Sequence, residues 1–318
     1  MTWKNSLAGI PFGGAKAGIV WPGGSEQLKK QYVQSFAKAV ASLTPKKYIA
    51  GPDVNTGERE MQWFVEATGN WRSATGKPAK LCMLVFGKGQ SVEQCGIPHE
   101  FGSTGFGVAH ATKVAAHLSG LDLKDATIAI HGFGNVGSFT YSVLSDMGAK
   151  VVAIADAKGA VYSKGGFEKK SMKQLIAKRA SIMDYPGAKK ITSDDFWGLD
   201  VDVLIPASVT DVIHEGNKDK IAAKIIVEGA NIPMRESVEE ELHKRGVLIV
   251  PDFVANAGGV ISSYAEYRGY NPRDMFRTVE KKIVESTTKV IQESLSTKRN
   301  PREVAFTLSR KRIEQVSR

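Results

Sequence analysis

Two glycine-rich turns carry the residues whose types and spacing suit chemistry. The first, Gly132-Phe133-Gly134-Asn135-Val136-Gly137, is a G-x-G-x-x-G directly after the strand-like run Ile128-Ala129-Ile130 and at the start of a helical pattern. There the first glycine permits a tight turn, the second lets backbone amides approach a pyrophosphate, and the third lets helix and strand pack closely, while the helix dipole favours the anion. Asp156 closes the next strand 19 residues after Gly137, near the offset of an acid that hydrogen-bonds a ribose. It favours a free 2'-hydroxyl, whereas Lys158 can neutralise a 2'-phosphate, so NAD and NADP both stay open. The second turn, Gly9 to Gly18, sets Lys16 among glycines. Desolvation and a second cation, Lys4, disfavour a charged amine and suit it to activating water or polarising a carbonyl. A phosphate-cradling or merely flexible loop accounts for the same residues equally well.

The surrounding pattern shows what must position these groups. Apolar residues at helical spacing predict helices over 27–43 and 57–68, with a short strand at 48–50 between them and a polar loop through Gly76-Lys77-Pro78 afterwards. Beyond Gly105 the alternation becomes regular: a helix over 108–118, a strand at 127–131, a helix over 136–147 and a strand at 150–155. Further strands are expected at 201–205, 224–227 and 247–250, and two long amphipathic helices at 273–295 and 302–316. Short β-branched runs alternating with helices predict an α/β fold with a parallel, doubly wound sheet covered on both faces.

Composition narrows the function classes. The 318 residues, 42% hydrophobic and 24% charged, suffice for two cores. No apolar run is long enough to span a bilayer, and the start lacks a signal-peptide pattern, so no membrane partner and a cytoplasmic location are expected. Cys82 and Cys95 have neither metal-site spacing nor scaffold density and read as free thiols in a reducing compartment. The six histidines are scattered, so no metal is expected. The net charge of +10 is interleaved with acids along amphipathic stretches such as 280–285 and comes with no nucleic-acid motif, so nucleic acid is not an expected partner.

The segment Pro11-Phe12-Gly13-Gly14-Ala15-Lys16 resembles the Pro-x-Gly-Gly-x-Lys signature of the glutamate, leucine, phenylalanine and valine dehydrogenase superfamily. Further similarity runs through Gly51-Pro52-Asp53, Thr75-Gly76-Lys77-Pro78, Ser103-Thr104-Gly105, the glycine turn, Glu228-Gly229-Ala230-Asn231 and 251–260, nearly the whole chain. The resemblance implies that Lys16 is the catalytic lysine, Asp53 the proton-transferring aspartate and Lys4 the ligand of the substrate α-carboxylate. It places Asn231 near the nicotinamide, Asn256 at the cleft and Thr104 beside the cofactor. Ser263 is similar to the serine that helps glutamate-specific members bind the side-chain carboxylate; an apolar residue there would leave that charge unpaired. The adjacent Ser262 and a neutral role for either serine remain alternatives.

The same resemblance implies a two-domain α/β chain: a substrate domain over 1–104, shortened at its N-terminus, and a Rossmann domain over 105–301, with the helix at 302–318 packing back on the first. The domains would close through hinges near Thr104 and 256–263. The implied reaction interconverts glutamate with 2-oxoglutarate and ammonia using NAD or NADP, in a homo-oligomer, a hexamer in the family. Other readings are a dehydrogenase of leucine, valine or phenylalanine, and a truncated, non-catalytic nucleotide-binding subunit. Three departures stand out: Met1 stands only three residues before Lys4, Val20-Trp21-Pro22-Gly23 replaces an Asp-Pro, and a longer stretch, 80–102, precedes Ser103, with His99 or Glu100 near the place of an arginine. The shortened start is expected to lack a second lysine for the substrate side chain.

Overall fold

The computed structural model describes residues 1–87 and 90–316. It opens with α1 (Thr2–Leu7), the glycine-rich loop, α2 (Glu26–Ala39) and α3 (Glu58–Thr68), followed by the antiparallel hairpin β1 (Cys82–Gly87) and β2 (Gln90–Cys95). Then come α4 (Ser103–Leu118), β3 (Thr127–His131), α5 (Asn135–Asp146), β4 (Lys150–Asp156), β5 (Gly159–Tyr162), α6 (Lys169–Lys178), β6 (Lys189–Ile191), α7 (Ser193–Trp197) and β7 (Val203–Pro206). The remainder is β8 (Ile225–Val227), α8 (Glu236–Lys244), β9 (Leu248–Val250), α9 (Asp252–Ala255), α10 (Gly258–Tyr267), α11 (Pro272–Thr297) and α12 (Pro301–Val316).

A seven-stranded sheet runs in the order β6-β5-β4-β3-β7-β8-β9. Its strands are covered on both faces, and their side chains divide between two cores with the period of two that a pleated strand imposes. Ile128, Ile130, Val203, Ile205, Ile225 and Val227 join the core under α4, α5, α10 and α11, while Ala129, Leu204 and Ile226 join the opposite core with Phe196, Trp197, Val238 and Leu242. A third, smaller core of Val33, Ala37, Met61, Phe64 and Val65 binds α2 to α3.

The helices start where local chemistry favours it. Ser25 Oγ accepts from Leu28 N at the head of α2, and Asn271 Oδ1 accepts from Asp274 N ahead of Pro272, a residue pre-set for the first turn, at the head of α11.

Four expectations need correction. The sheet is mixed: β4–β5 and β5–β6 are antiparallel. The two residues between Asp156 and Gly159 are too few for the crossover that a parallel neighbour requires. The strand expected at 48–50 is a single bridge, Ala50 to Ala74, since Pro52 offers no N–H to extend a ladder. The supposed polar loop at Gly76-Lys77-Pro78 hides a charge: Lys77 is 1% exposed, with its Nζ 2.6 Å from Glu266 Oε1 on α10 and over the Trp71 ring. Finally, Cys82 and Cys95 face each other at the open end of the hairpin and form a disulfide. Paired cross-strand positions bring the two sulfurs together, which sequence spacing alone does not reveal, and the free-thiol argument for a reducing compartment falls with it. Among the described residues no helix is long and apolar enough to cross a membrane.

Candidate active site

The end of β3 delivers the glycine turn to the head of α5. Gly132 has φ +118, a conformation open essentially to glycine, and a Cβ there would stand 2.6 Å from the Ala207 carbonyl. Gly137 is needed for close approach, because its Cβ would lie 1.8 Å from Gly132 O. Gly134 between them faces open space within 4 Å, which leaves room for a pyrophosphate against the first amides of α5, those of Asn135 and Val136. The turn therefore fits a dinucleotide phosphate by its own geometry.

Asp156 sits at the end of β4, but its carboxylate is already engaged. Oδ2 accepts from Ser181 Oγ at 2.6 Å and from Ile182 N at 2.8 Å, while Oδ1 accepts from Lys158 N at 2.8 Å. Burial pushes this carboxyl up, yet the Ser181 hydroxyl and the surrounding backbone N–H groups outweigh it and hold the pKa below the ordinary value.

The second half of the site is assembled from distant segments. Helix α1 is seated on α12 by the edge-to-face contact of Trp3 with Phe306 and by Ser6 Oγ donating to Ser309 O at 2.9 Å. It presents Lys4, whose Nζ donates to Asn231 Oδ1 at 3.2 Å. Asn231 Oδ1 also accepts from Asn256 Nδ2 at 3.0 Å, so three candidate residues separated in sequence form one chain. The glycine-rich loop folds back over α1, with Asn5 Nδ2 donating to Gly13 O and a Cβ on Gly14 meeting Thr2 N at 2.3 Å. Phe12 fixes the same loop to α10 through edge contacts with Tyr264 and Tyr267. Ser263, half-buried, lies on that helix, while Ser262 is fully buried, its Oγ without a partner among the described residues.

At the loop's far end Lys16 Nζ forms an ion pair with Asp53, and both side chains are open to solvent, 65% and 51% exposed. The desolvation expected at Lys16 is found instead at Lys4, because the Lys16 side chain stays open to solvent. Burial lowers the Lys4 pKa, the nearby Asp252 opposes this, and Lys16 adds to it. The Asp53 turn is held from behind: Asp53 N donates to Thr56 Oγ1, and Lys29 Nζ reaches both Asn55 O and Glu60 Oε1 at 2.7 Å.

One loop joins the two halves. A Cβ on Gly229, just beyond β8, would lie 3.0 Å from Ala207 Cβ and 3.4 Å from Val136 Cγ1 of the glycine turn, and two residues later Asn231 meets Lys4. Thr104 opens α4 against Gly259 at the start of α10, placing it on the same side. Within this loop Ile232 has φ +49, an unusual conformation for a β-branched residue that costs on the order of 1–3 kcal/mol.

Comparison with known proteins gives the arrangement its family. Residues 95–318 match the model described as Glutamate/Leucine/Phenylalanine/Valine dehydrogenase, and residues 1–70 match the dimerisation domain of Glu/Leu/Phe/Val dehydrogenases. The chain belongs to this family. It is 36% identical to a glutamate dehydrogenase from Aeropyrum pernix over 98% of this chain and 76% of that protein. It is 38% identical to an NADP-specific glutamate dehydrogenase from Saccharolobus shibatae and 35% identical to an NAD-specific one from Clostridioides difficile, over 84% of this chain in both cases. The chain spans 62% and 64% of those two proteins, less than two thirds of their length. The solved structure of a glutamate dehydrogenase from Peptoniphilus asaccharolyticus superposes with a TM-score of 0.77 at 29% identity, covering 99% of this chain and 76% of that one. The cofactors its relatives' names give are NAD and NADP.

Several residues around this dehydrogenase's site escaped the sequence. Arg302, legible only as one basic residue on a solvated helix, is 14% exposed in its side chain and pairs with three acids. Lys77 and Glu266 are likewise mutually buried. In the sequence Lys77 is one charge in a polar loop and Arg302 one charge at the head of a helix, and neither position signals burial.

Proposed function

We propose that this dehydrogenase chain oxidatively deaminates L-glutamate to 2-oxoglutarate and ammonia with NAD or NADP, and runs the reverse amination, in a homo-oligomer. The observation that carries the reading is the meeting of Lys4, Asn231 and Asn256 beside the glycine turn, with the Lys16–Asp53 pair on the adjoining loop.

In this reading the substrate α-carboxylate binds Lys4, whose amine has lost part of its hydration and gains from an anionic partner. Asn231 and Asn256 fix that amine laterally. When bound, the nicotinamide supplies the hydride acceptor for the α-carbon. Lys16 then activates water toward the resulting iminium carbon, and Asp53, already in contact with Lys16, passes the proton to the departing amine. Ser263 donates to the side-chain carboxylate, which selects glutamate over leucine, valine or phenylalanine. Gly132 to Gly137 cradle the pyrophosphate, while Asp156 and Lys158 flank the ribose and Thr104 borders the cofactor. The open exposure of Lys16 and Asp53 fits a cleft that closes on substrate about Thr104 and 256–263, bringing a segment over 1–104 onto one over 105–301 and excluding water.

The test follows nicotinamide reduction with glutamate, leucine, valine and phenylalanine, using NAD and NADP in turn, for the wild type and Lys16→Met. Glutamate-dependent reduction that falls by about a hundredfold or more in the variant supports the reading. Cofactor binding with no amino-acid-dependent reduction in the wild type would instead mark a nucleotide-binding subunit.

A further inference from the structure

Behind the cleft lies a buried charge cluster to which the chemistry above gives no role. Arg302 Nη2 donates to Glu228 Oε2 at 2.6 Å, Nε to Glu239 Oε2 at 2.5 Å and Nη1 to Asp252 Oδ1 at 3.1 Å. Asp252 then turns its second oxygen outward: Oδ2 accepts from Ile232 N at 3.0 Å, and its own backbone N donates to Glu228 Oε2 at 2.7 Å. One guanidinium therefore grips both ends of the segment from Glu228 to Ile232, one directly and one through Asp252. Within that segment stands Asn231, whose Oδ1 accepts from Lys4 and Asn256.

We propose that Arg302 is a positioning residue for the reaction: through Asp252 and Glu228 it holds the left-handed turn at Ile232 that aims Asn231 at Lys4. This rests on the roles given above to Lys4 and Asn231. A turn at φ +49 is not one that isoleucine adopts unaided, so something must hold it. The holding contacts converge on Asp252 and on Thr210, whose Oγ1 donates to Asn231 O at 3.0 Å, with Asp211 N donating to Ile232 O at 3.0 Å. Of these, only the Asp252 contact leads into the buried cluster. If Arg302 merely docked α12, Glu239 on α8 would suffice as its partner; instead its other two partners, Glu228 and Asp252, hold the two ends of the segment that carries Asn231.

Two variants test the relay. Arg302→Lys keeps one buried positive charge but loses the planar fork that reaches three carboxylates. Asp252→Asn keeps the shape but must point an N–H at either Arg302 or Ile232 N. Both are expected to raise amide hydrogen exchange across 229–234 by about tenfold or more while 128–140 stays as in the wild type. The kcat with glutamate should fall by about tenfold and the KM for the cofactor should hold. Adding Ile232→Gly to Arg302→Lys should restore most of the lost kcat, since glycine takes the turn without being held. Unchanged exchange across 229–234 in both variants, or no recovery with Ile232→Gly, would overturn the proposal. A wild type that does not oxidise glutamate would refute the functional reading, while the exchange measurements would still decide whether Arg302 holds the turn.

Discussion

The glycine turn and the proposed catalytic cleft of this family member are put together differently. The turn occupies one continuous run, Gly132 to Gly137, and its shape follows from backbone geometry between one strand and one helix. The cleft gathers Lys4, Lys16, Asp53, Asn231, Asn256 and Ser263 from α1, two loops, the end of β8 and the region of α9 and α10. Local sequence can hold the first in place. The second depends on long-range supports, among them two buried ion-pair clusters: Arg302 with its three acids, and Lys77 with Glu266. Cofactor and catalytic functions should therefore fail separately and for different physical reasons.

Lys77→Met should break the cleft side with the largest effect. It leaves Glu266, whose Oε2 accepts from Gly76 N and Ile97 N, as a buried acid without its cation. Burial pushes Lys77 down and Glu266 up; their mutual attraction opposes both shifts, and the Gly76 and Ile97 N–H groups add to the opposition at Glu266. Chemical denaturation should show a loss of about 3–5 kcal/mol. Removing both charges together, as Lys77→Met with Glu266→Leu, should cost less than the single change.

Gly137→Ala breaks the other side. Its methyl would meet the Gly132 carbonyl at 1.8 Å, so β3 and α5 must separate. The expected cost is about 1–3 kcal/mol in stability, with cofactor affinity reduced by about tenfold or more in a fluorescence titration. If affinity stays unchanged, the phosphate does not sit on this turn.

Asp156→Asn should give the smallest of these effects and a pH signature. Its folded pKa is depressed, so its stabilising contribution is present above the ordinary carboxylate pKa and is lost as pH falls through the lowered folded value. The variant should be less stable than the wild type by about 1 kcal/mol at neutral pH, and the difference should vanish in acid. A difference that persists below the folded pKa would mean the Ser181 and Ile182 bonds are not the source.

The same contrast explains what the sequence revealed. Strands at 127–131 and 150–155, the helix between them and the glycine turn were legible because each is decided by residues close in the chain. The antiparallel β5 was not, because its direction depends on the brevity of the two-residue connection from β4. Nor was the Cys82–Cys95 disulfide, which depends on hairpin register. Lys16 and Lys4 stood out from their glycine-rich setting, while Asp53, Asn231, Asn256 and Ser263 emerged only through motif similarity. Arg302, Glu228 and Asp252 could not be joined to them, because nothing in a linear charge pattern shows which charges will be buried together.

The most direct test of separable halves pairs two readings on Asp53→Asn: cofactor affinity by titration and glutamate-dependent nicotinamide reduction. Asp53 touches Lys16, and its partners among the described residues, Lys16, Val54 and Thr56, lie away from the glycine turn. Cofactor affinity within about twofold of the wild type, with turnover reduced by about a hundredfold or more, is the predicted result. Turnover matching the wild type, or cofactor affinity falling in step with turnover, would contradict the account.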